Sequence, residues 1–193
     1  MLNKTDRDGD GYTTCGGDCS DDRVNVFPGA AELESAVLCM KDTDQDGYGD
    51  INPPEGITAG QDCDDSSDTT FPGAADLDST TDCMSDVDND GYGDIATGGT
   101  VVAGTDCNDG DTTINPDATE IPADSTDQNC DGTELCFEDA DGDGFGSNAV
   151  DQSNNLLTIT SIDTDCVDSN EAENADDCDD NEDTTFPGAA EHE

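Results

Sequence analysis

Four short segments of the chain place aspartates at every second position and then a glycine, in the order DxDxDG. Alternating carboxylates can surround a central ion, the glycine lets the backbone turn around it, and the next residue offers a carbonyl. Oxygen-only ligands on flexible loops suit Ca²⁺ better than Mg²⁺, which prefers a stricter octahedron and keeps its water. The predicted loop ligands are Asp6, Asp8, Asp10 and Tyr12; Asp42, Asp44, Asp46 and Tyr48; Asp86, Asp88, Asp90 and Tyr92; and Asp139, Asp141, Asp143 and Phe145.

These loops lack the bidentate Glu that closes an EF-hand at its twelfth position, so other acids must complete the shell. The recurring candidates are the two acids of a following DCxD segment, an acid beyond a later Pro-Gly turn, and an acid at the ninth loop position in two copies. The alternative is that these acids form a solvated face, or cap a helix after the proline. The predicted closing ligands are Asp18, Asp21 and Glu32; Asp50, Asp62, Asp65 and Asp76; Asp94, Asp106, Asp109 and Glu120; and Asp177, Asp180 and Glu191.

The charge of the chain explains why ions are needed. Its 193 residues carry 51 acids against 4 Lys or Arg, a formal charge of -47 at pH 7, and every Lys and Arg falls before residue 42. Self-repulsion on this scale opposes a compact state. With 31% hydrophobic residues and no Trp, the apolar core is expected to be thin. The chain is therefore either a disordered acidic polymer or a protein folded by bound cations.

Loop and DCxD segment alternate along the chain, which is the mark of a tandem repeat. The loops start 36, 44 and 53 residues apart, so we divide the chain into repeat units 1–41, 42–85, 86–138 and 139–193, the last ending mid-repeat. DCxD surrounds Cys19, Cys63, Cys107, Cys166 and Cys178. The copy at Cys166 lacks the later proline and acid and departs from the pattern.

The predicted fold is a mostly irregular, calcium- and disulfide-stabilised tandem array with short β-strands and short helices, extended rather than globular. Short strands are predicted at 57–61 (ITAGQ), 100–105 (TVVAGT) and 155–162 (NLLTITSI). A helix of two or three turns is predicted over 29–40 (GAAELESAVLCM), after Pro28.

Ten cysteines without a CxxC pair, in a chain whose single histidine is His192, favour disulfides over zinc and an extracellular setting. One pairing scheme joins each DCxD cysteine to the next free one. A rival scheme joins Cys39 to Cys63 and Cys83 to Cys107. Because Cys130 lies in QNCDG with no loop after it, the first is favoured. Its pairs are Cys19 with Cys39, Cys63 with Cys83, Cys107 with Cys130 and Cys136 with Cys166, with Cys15 and Cys178 unpaired or joined to each other.

Two resemblances follow from these motifs. The DxDxDG loops resemble thrombospondin type 3 repeats. The combination of GQDCDDSSDTTFPGAAD with DQNCDG is similar to the metal-binding repeat of bacterial and archaeal surface proteins. The resemblance covers nearly the whole chain and implies extracellular, calcium-stabilised modules of low regular structure, often within long adhesive or matrix proteins.

We therefore expect an extracellular or cell-surface calcium-binding structural protein with several Ca²⁺ per chain, and no enzyme, because no nucleophile set or phosphate loop is present. The alternative is a metal-handling surface protein for calcium buffering, mineral nucleation or soft-metal capture. The half-units at the two ends nearly complete each other, which predicts a fragment of a longer array or copies stacked head to tail as a filament. Nucleic acid and anionic membranes are expected to repel the chain, no segment is apolar enough for membrane insertion, and the sequon Asn3-Lys4-Thr5 could carry a glycan.

Overall fold

A computed structural model describes residues 5–189. Within this range the chain has seven strands of two to four residues and no α-helix, and most of the backbone is turn, bend or irregular. Contacts divide the chain into two compact units, Met1–Thr112 and Thr113–Glu193. No helix among the described residues has the length and apolar character of a membrane span.

The first unit contains two equivalent antiparallel hairpins. Strand β1 (Val26–Pro28) pairs with β2 (Cys39–Lys41), and β3 (Thr70–Pro72) pairs with β4 (Cys83–Ser85). Each hairpin starts after a DCxD segment and leads directly into the next DxDxDG loop. The hairpins therefore join successive repeats.

The second unit contains one three-stranded antiparallel sheet. Its central strand is β5 (Leu135–Glu138), flanked by β6 (Thr158–Thr160) and β7 (Glu171–Ala172). Strand β5 ends where the fourth DxDxDG loop begins, so the sheet precedes that loop as the two hairpins precede the second and third loops.

The described interior is more polar than apolar. Buried apolar side chains are few and small, whereas seven aspartates and one glutamate are also buried. The larger apolar contacts are stacked ring pairs, in which a loop aromatic meets the phenylalanine of a later FPGA segment. These pairs are Tyr12 with Phe27, Tyr48 with Phe71 and Phe145 with Phe186, with ring centroids 5.4 to 5.5 Å apart. The thin core predicted from composition is confirmed.

The disulfides follow the first pairing scheme, and the rival scheme is wrong. Cys107 and Cys130 are also disulfide-bonded, as the first scheme requires, while Cys15 and Cys178 are free and exposed. Cys19–Cys39, Cys63–Cys83 and Cys136–Cys166 are paired with their Cα atoms 6.2, 6.1 and 5.5 Å apart. Each of the first two ties a DCxD segment to the second strand of its hairpin.

The predicted helix over 29–40 is wrong. Its first residue, Gly29, has φ +84°, and only one helix-like turn forms, through the hydrogen bond from Ser35 N to Ala31 O of 2.9 Å. The Cys19–Cys39 disulfide and the pairing of β2 with β1 draw the next residues back into the hairpin. Tertiary pairing thus overrides the local helix preference.

Two of the three predicted strands are also wrong. Residues 57–61 and 100–105 form no strand, although the aspartate following each segment makes an isolated parallel bridge, Asp50 with Asp62 and Asp94 with Asp106. At Gly60 a Cβ atom would overlap the carbonyl of Gly49, so the chains cross there too closely for a side chain. The third segment does contain β6. Glu191, His192 and the sequon residues Asn3 and Lys4 lie outside the described range.

Candidate metal centres

Each DxDxDG loop and a later DCxD segment form one cluster of carboxylates, which we call a module. In module 4 this segment is the one at Cys178, and the DCxD copy at Cys166 lies between it and the loop. Modules 1 to 4 span residues 6–21, 42–65, 86–109 and 139–180. Within three of the loops, one carboxylate oxygen from each aspartate lies within 4.8 Å of the others. These triplets are Asp6, Asp8 and Asp10; Asp42, Asp44 and Asp46; and Asp86, Asp88 and Asp90.

The first aspartate of a loop organises the backbone. In module 2, Asp42 Oδ1 accepts the N–H of Gln45 at 2.7 Å and Oδ2 accepts the N–H of Gly47 at 3.1 Å. Gly47 has φ +93°, the left-handed conformation that the sharp turn requires. Modules 1, 3 and 4 repeat both hydrogen bonds. The first aspartate therefore fixes the backbone conformation of the loop through these two hydrogen bonds.

The second and third aspartates each use one oxygen locally. Asp44 Oδ1 accepts the N–H of Asp46 at 3.3 Å, and Asp46 Oδ1 accepts the N–H of Tyr48 at 2.7 Å. Their Oδ2 atoms are buried and have no hydrogen-bond partner. Each of these side chains thus directs one unsatisfied anionic oxygen into the loop.

A backbone hydrogen bond delivers the closing aspartate to the loop. In module 2 the N–H of Asp62 donates to Gly49 O at 2.9 Å. Asp62 is fully buried, its Oδ1 accepts the N–H of Asp64 at 2.8 Å, and its Oδ2 is buried without a partner. The same backbone bond joins Asp18 to Thr13, Asp106 to Gly93 and Asp177 to Gly146, at 2.8 to 3.0 Å.

The unsatisfied oxygens recur from module to module. They are Oδ2 of Asp8, Asp10 and Asp18; of Asp44, Asp46 and Asp62; of Asp88 and Asp106; and of Asp141, Asp143 and Asp177. Buried carboxylate oxygens are costly unless they are hydrogen-bonded or bind a cation. This donor set, made only of oxygens and mostly anionic, fits a hard divalent cation.

Burial and mutual repulsion raise the pKa of several carboxylates in these clusters. Burial raises the pKa of Asp46 and of Asp62 to about 7, with repulsion from neighbouring acids of the same module adding to the rise. Burial likewise raises the pKa of Asp106 to about 6 and raises the pKa of Asp10 and Asp141. At neutral pH, Asp46 and Asp62 therefore become fully ionised only beside a positive charge.

In modules 2, 3 and 4, the second acid of DCxD accepts a hydrogen bond from the backbone of the loop. Asp65 Oδ1 accepts the N–H of Thr43 at 2.9 Å, Asp109 Oδ1 accepts that of Val87 at 2.8 Å, and Asp180 Oδ1 accepts that of Ala140 at 2.8 Å. Asp21, their counterpart in module 1, differs: it interacts with other groups, but its Oδ1 is buried and accepts no hydrogen bond. Sequence reasoning assigned these acids as ligands; the structure gives three of them a clamping contact.

Lys41 neutralises one side of module 2. Its ammonium group contacts Asp65 and lies 2.9 Å from Asp50 Oδ2. Burial alone would lower the pKa of Lys41, but hydrogen bonds to both carboxylates outweigh it and raise the pKa. Asp50 and its counterpart Asp94 each accept the N–H two residues later, from Asn52 at 2.7 Å and from Ala96 at 2.6 Å, and Asp50 alone of the two also contacts a lysine.

The acids beyond the Pro-Gly turn behave differently from one another. Glu32 and Asp76 are exposed. The structure instead uses the acid two positions later, which sequence reasoning missed. Glu34 accepts the N–H of Gly49 at 2.7 Å, and Asp78 accepts the N–H groups of Gly93 and Thr105 at 3.0 and 2.9 Å. These two acids tie one hairpin to the next module.

A fifth loop was also missed. DQNCDG has the same spacing as DxDxDG, with Asn129 in the middle. Gly132 N donates to Asp127 Oδ2 at 2.8 Å, Asp131 N to Asn129 Oδ1 at 2.9 Å, and Thr133 N to Asp131 Oδ1 at 2.9 Å. These are the hydrogen bonds of the other loops. The spacing alone could have revealed it.

Comparison with known families agrees with this picture. The family model Cu-binding_MopE, described as "Putative metal-binding motif", matches residues 18–37, 62–91, 106–141 and 177–192, together just over half of the chain. The matched segments begin at the closing aspartates Asp18, Asp62, Asp106 and Asp177. No curated protein and no solved structure matched the chain. The chain is a tandem-repeat member of the Cu-binding_MopE metal-binding family.

Proposed function

We propose that each module binds a calcium ion and that these ions stabilise the fold in place of a large apolar core. The observation that carries this proposal is the recurring set of buried Oδ2 atoms without partners, from the second loop aspartate and the closing aspartate of every module and from the third loop aspartate of modules 1, 2 and 4. A bound Ca²⁺ would satisfy these oxygens and remove the repulsion among them. Binding free energy of this kind is also folding free energy.

The supply of protein cations supports an external ion. From residue 42 onward the sequence has no Lys or Arg, so modules 3 and 4 contain no cationic side chain. Among the described residues, Arg7 forms an ion pair with Asp22, and Lys41 forms ion pairs with Asp50 and Asp65. Neutralisation of the remaining clusters therefore has to come from solution.

The choice of calcium follows from donor chemistry. The unsatisfied atoms are all carboxylate oxygens. Six of the cysteines near modules 1, 2 and 4 are held in the disulfides Cys19–Cys39, Cys63–Cys83 and Cys136–Cys166. The name of the family mentions copper, which prefers nitrogen and sulfur ligands. The thrombospondin type 3-like loops and the disulfides favour an extracellular or cell-surface protein that acts in adhesion or in a matrix.

The test is titration of chelated protein. After treatment with EDTA, millimolar Ca²⁺ is expected to reduce the hydrodynamic radius and raise the melting temperature markedly, while Mg²⁺ and Cu²⁺ at equal concentration do less. Dynamic light scattering and calorimetry measure both quantities. An unchanged radius and melting temperature with Ca²⁺ would refute the proposal, and a larger response to Cu²⁺ would replace calcium by copper.

A second candidate is soft-metal capture at thiols. It is favoured by Cys15 and Cys178, which are free and exposed. Replacing both by serine should abolish Cu⁺ or Hg²⁺ binding if the thiols are the site, and should leave the calcium response unchanged. Thiol titration of the unmodified protein gives the number of reactive groups.

Self-association is a separate proposal. Head-to-tail stacking of copies into a filament, with calcium present, is expected to appear as long particles by negative-stain electron microscopy. Monodisperse monomers at high protein concentration in calcium would eliminate it, without affecting the proposal of calcium binding.

A further inference from the structure

Glu134 lies outside the four modules and is the largest fully buried side chain among the described residues. Its Oε1 accepts the N–H of Leu135 at 3.0 Å, but its Oε2 is buried without any hydrogen-bond partner. Ionised glutamate is almost never fully buried unless it is paired. No lysine or arginine exists beyond residue 41 to pair with it.

A second unsatisfied carboxylate belongs to the chain segment that runs beside Glu134. The N–H of Ala123 donates to Leu135 O at 2.9 Å, which ties residues 120–124 to the start of β5. Glu120 Oε1 accepts the N–H of Asn129 at 2.9 Å, and Glu120 Oε2 is buried without a partner. Two neighbouring segments thus each bury an anionic oxygen.

Asp124 provides a third carboxylate at the exposed side of this cluster. Gln128 is buried, and its Nε2 donates to Asp124 Oδ1 and Oδ2 at 2.9 and 2.8 Å, while its Oε1 accepts the N–H of Ile121 at 3.0 Å. The residues on either side of Asp124, Ala123 and Ser125, both have φ +60°. Non-glycine residues adopt this conformation rarely, and only where the surroundings impose it.

The charges of these three side chains act on one another. Burial raises the pKa of Glu134, and repulsion from Asp124 and then from Glu120 raises it further. The cluster is distinct from the modules, because it contains no DxDxDG loop aspartate and no DCxD acid.

We propose that Glu120, Asp124 and Glu134 form a further binding site for a hard divalent cation, built around the fully buried carboxylate of Glu134. The ion satisfies the free Oε2 atoms of the two glutamates and enters past Asp124, on the exposed side. Calcium is the expected occupant, since the three carboxylates are hard oxygen donors. The competing occupant is a proton on Glu134.

The experiment counts bound ions. Native mass spectrometry of the intact, disulfide-bonded protein in saturating Ca²⁺ should show one ion fewer for Glu134→Gln than for the unchanged protein. The matched control is Glu182→Gln, an exposed glutamate of the same unit. This control should keep the full count.

Glu134→Gln with an unchanged count would overturn the proposal and assign the site to a proton. If that variant does not fold, Asp124→Asn replaces it, because Asp124 is exposed. In Asp124→Asn, one calcium ion should bind at least about tenfold more weakly than in the unchanged protein. Unchanged affinities in Asp124→Asn would overturn the proposal equally. A protein that binds calcium normally in both variants refutes only this site and leaves the modules intact. If the unchanged protein binds only one calcium ion and Glu134→Gln binds none, the result supports this site and refutes the modules.

Discussion

Replacing Asp62 by asparagine should raise the stability of the chelated protein and reduce the stabilisation that calcium adds. Asn keeps the Oδ1 acceptor for the N–H of Asp64 but places an uncharged Nδ2 where the unsatisfied Oδ2 lies. In chelated protein the change removes a buried charge that nothing neutralises. In calcium-loaded protein it removes a proposed ligand.

The magnitude follows from the buried carboxylate. The pKa of Asp62 rises from 3.8 to about 7, chiefly through burial. Since one pKa unit corresponds to about 1.4 kcal/mol, keeping Asp62 ionised at pH 8 costs the metal-free fold about 4 kcal/mol at most. We therefore expect Asp62→Asn to raise the free energy of unfolding in EDTA by on the order of 1 to 4 kcal/mol. In calcium, a loss of about 10- to 100-fold in affinity at module 2 should remove about 1.4 to 2.7 kcal/mol of the stabilisation that calcium adds, which offsets part or all of that gain.

Urea unfolding at pH 8, in EDTA and in millimolar Ca²⁺, measures both effects. The protein has no Trp, so tyrosine fluorescence is a suitable signal, and Tyr48 stacks on Phe71 beside the site. Asp64→Asn is the matched control, since Asp64 is exposed and its oxygens are not among the unsatisfied ones.

The reasoning fails if Asp62→Asn destabilises the protein equally in EDTA and in calcium. That result would make Asp62 a structural acceptor rather than a charge waiting for an ion. If calcium stabilises Asp62→Asn by as much as it stabilises Asp64→Asn, relative to EDTA in each case, Asp62 is removed from the ligand set.

Three further outcomes are expected. In EDTA, stability should fall as the pH rises from about 4 to about 7, because burial raises the pKa of Asp62 and the folded state then binds more protons than the unfolded one; saturating calcium should abolish this fall in pH-dependent thermal melts. Replacing Cys63 and Cys83 by serine should cost about 3 kcal/mol in urea unfolding, as expected for a closed loop of this length, while replacing the two free cysteines should cost nothing measurable. Asp78→Asn should cost about 1 to 3 kcal/mol through weakened hydrogen bonds to Gly93 and Thr105, whereas Asp76→Asn, at an exposed neighbour, should stay within about 0.5 kcal/mol.

The DxDxDG loops could be predicted because their acids and their glycine lie close together in sequence. Alternating aspartates and a glycine define the loop locally. The absence of a twelfth-position Glu pointed to DCxD by elimination. The structure does bring Asp62 to Asp44 and Asp46, as their mutual repulsion shows.

Features that depend on distant chain crossings were missed. Strands of three residues, such as β1, are too short to show an alternating pattern, and the apolar spacing of 29–40 resembled a helix until the hairpin and its disulfide intervened. Glu34 differs from Glu32 only by meeting Gly49, a contact that no local pattern encodes. The roles of Asp65, Asp109 and Asp180 as clamps depend on the same kind of crossing.

The backbone hydrogen bond that brings the closing aspartate to its loop spans very different lengths of chain. Its donor and acceptor are 5 residues apart in module 1, 13 in modules 2 and 3, and 31 in module 4. Lengthening a closed loop costs little entropy once it is formed, so this span tolerates additions. Module 4 already carries β6 and β7 within it. The segment between a loop and its closing aspartate is therefore an insertion site, where a foreign polypeptide could be displayed without moving the acids of the module.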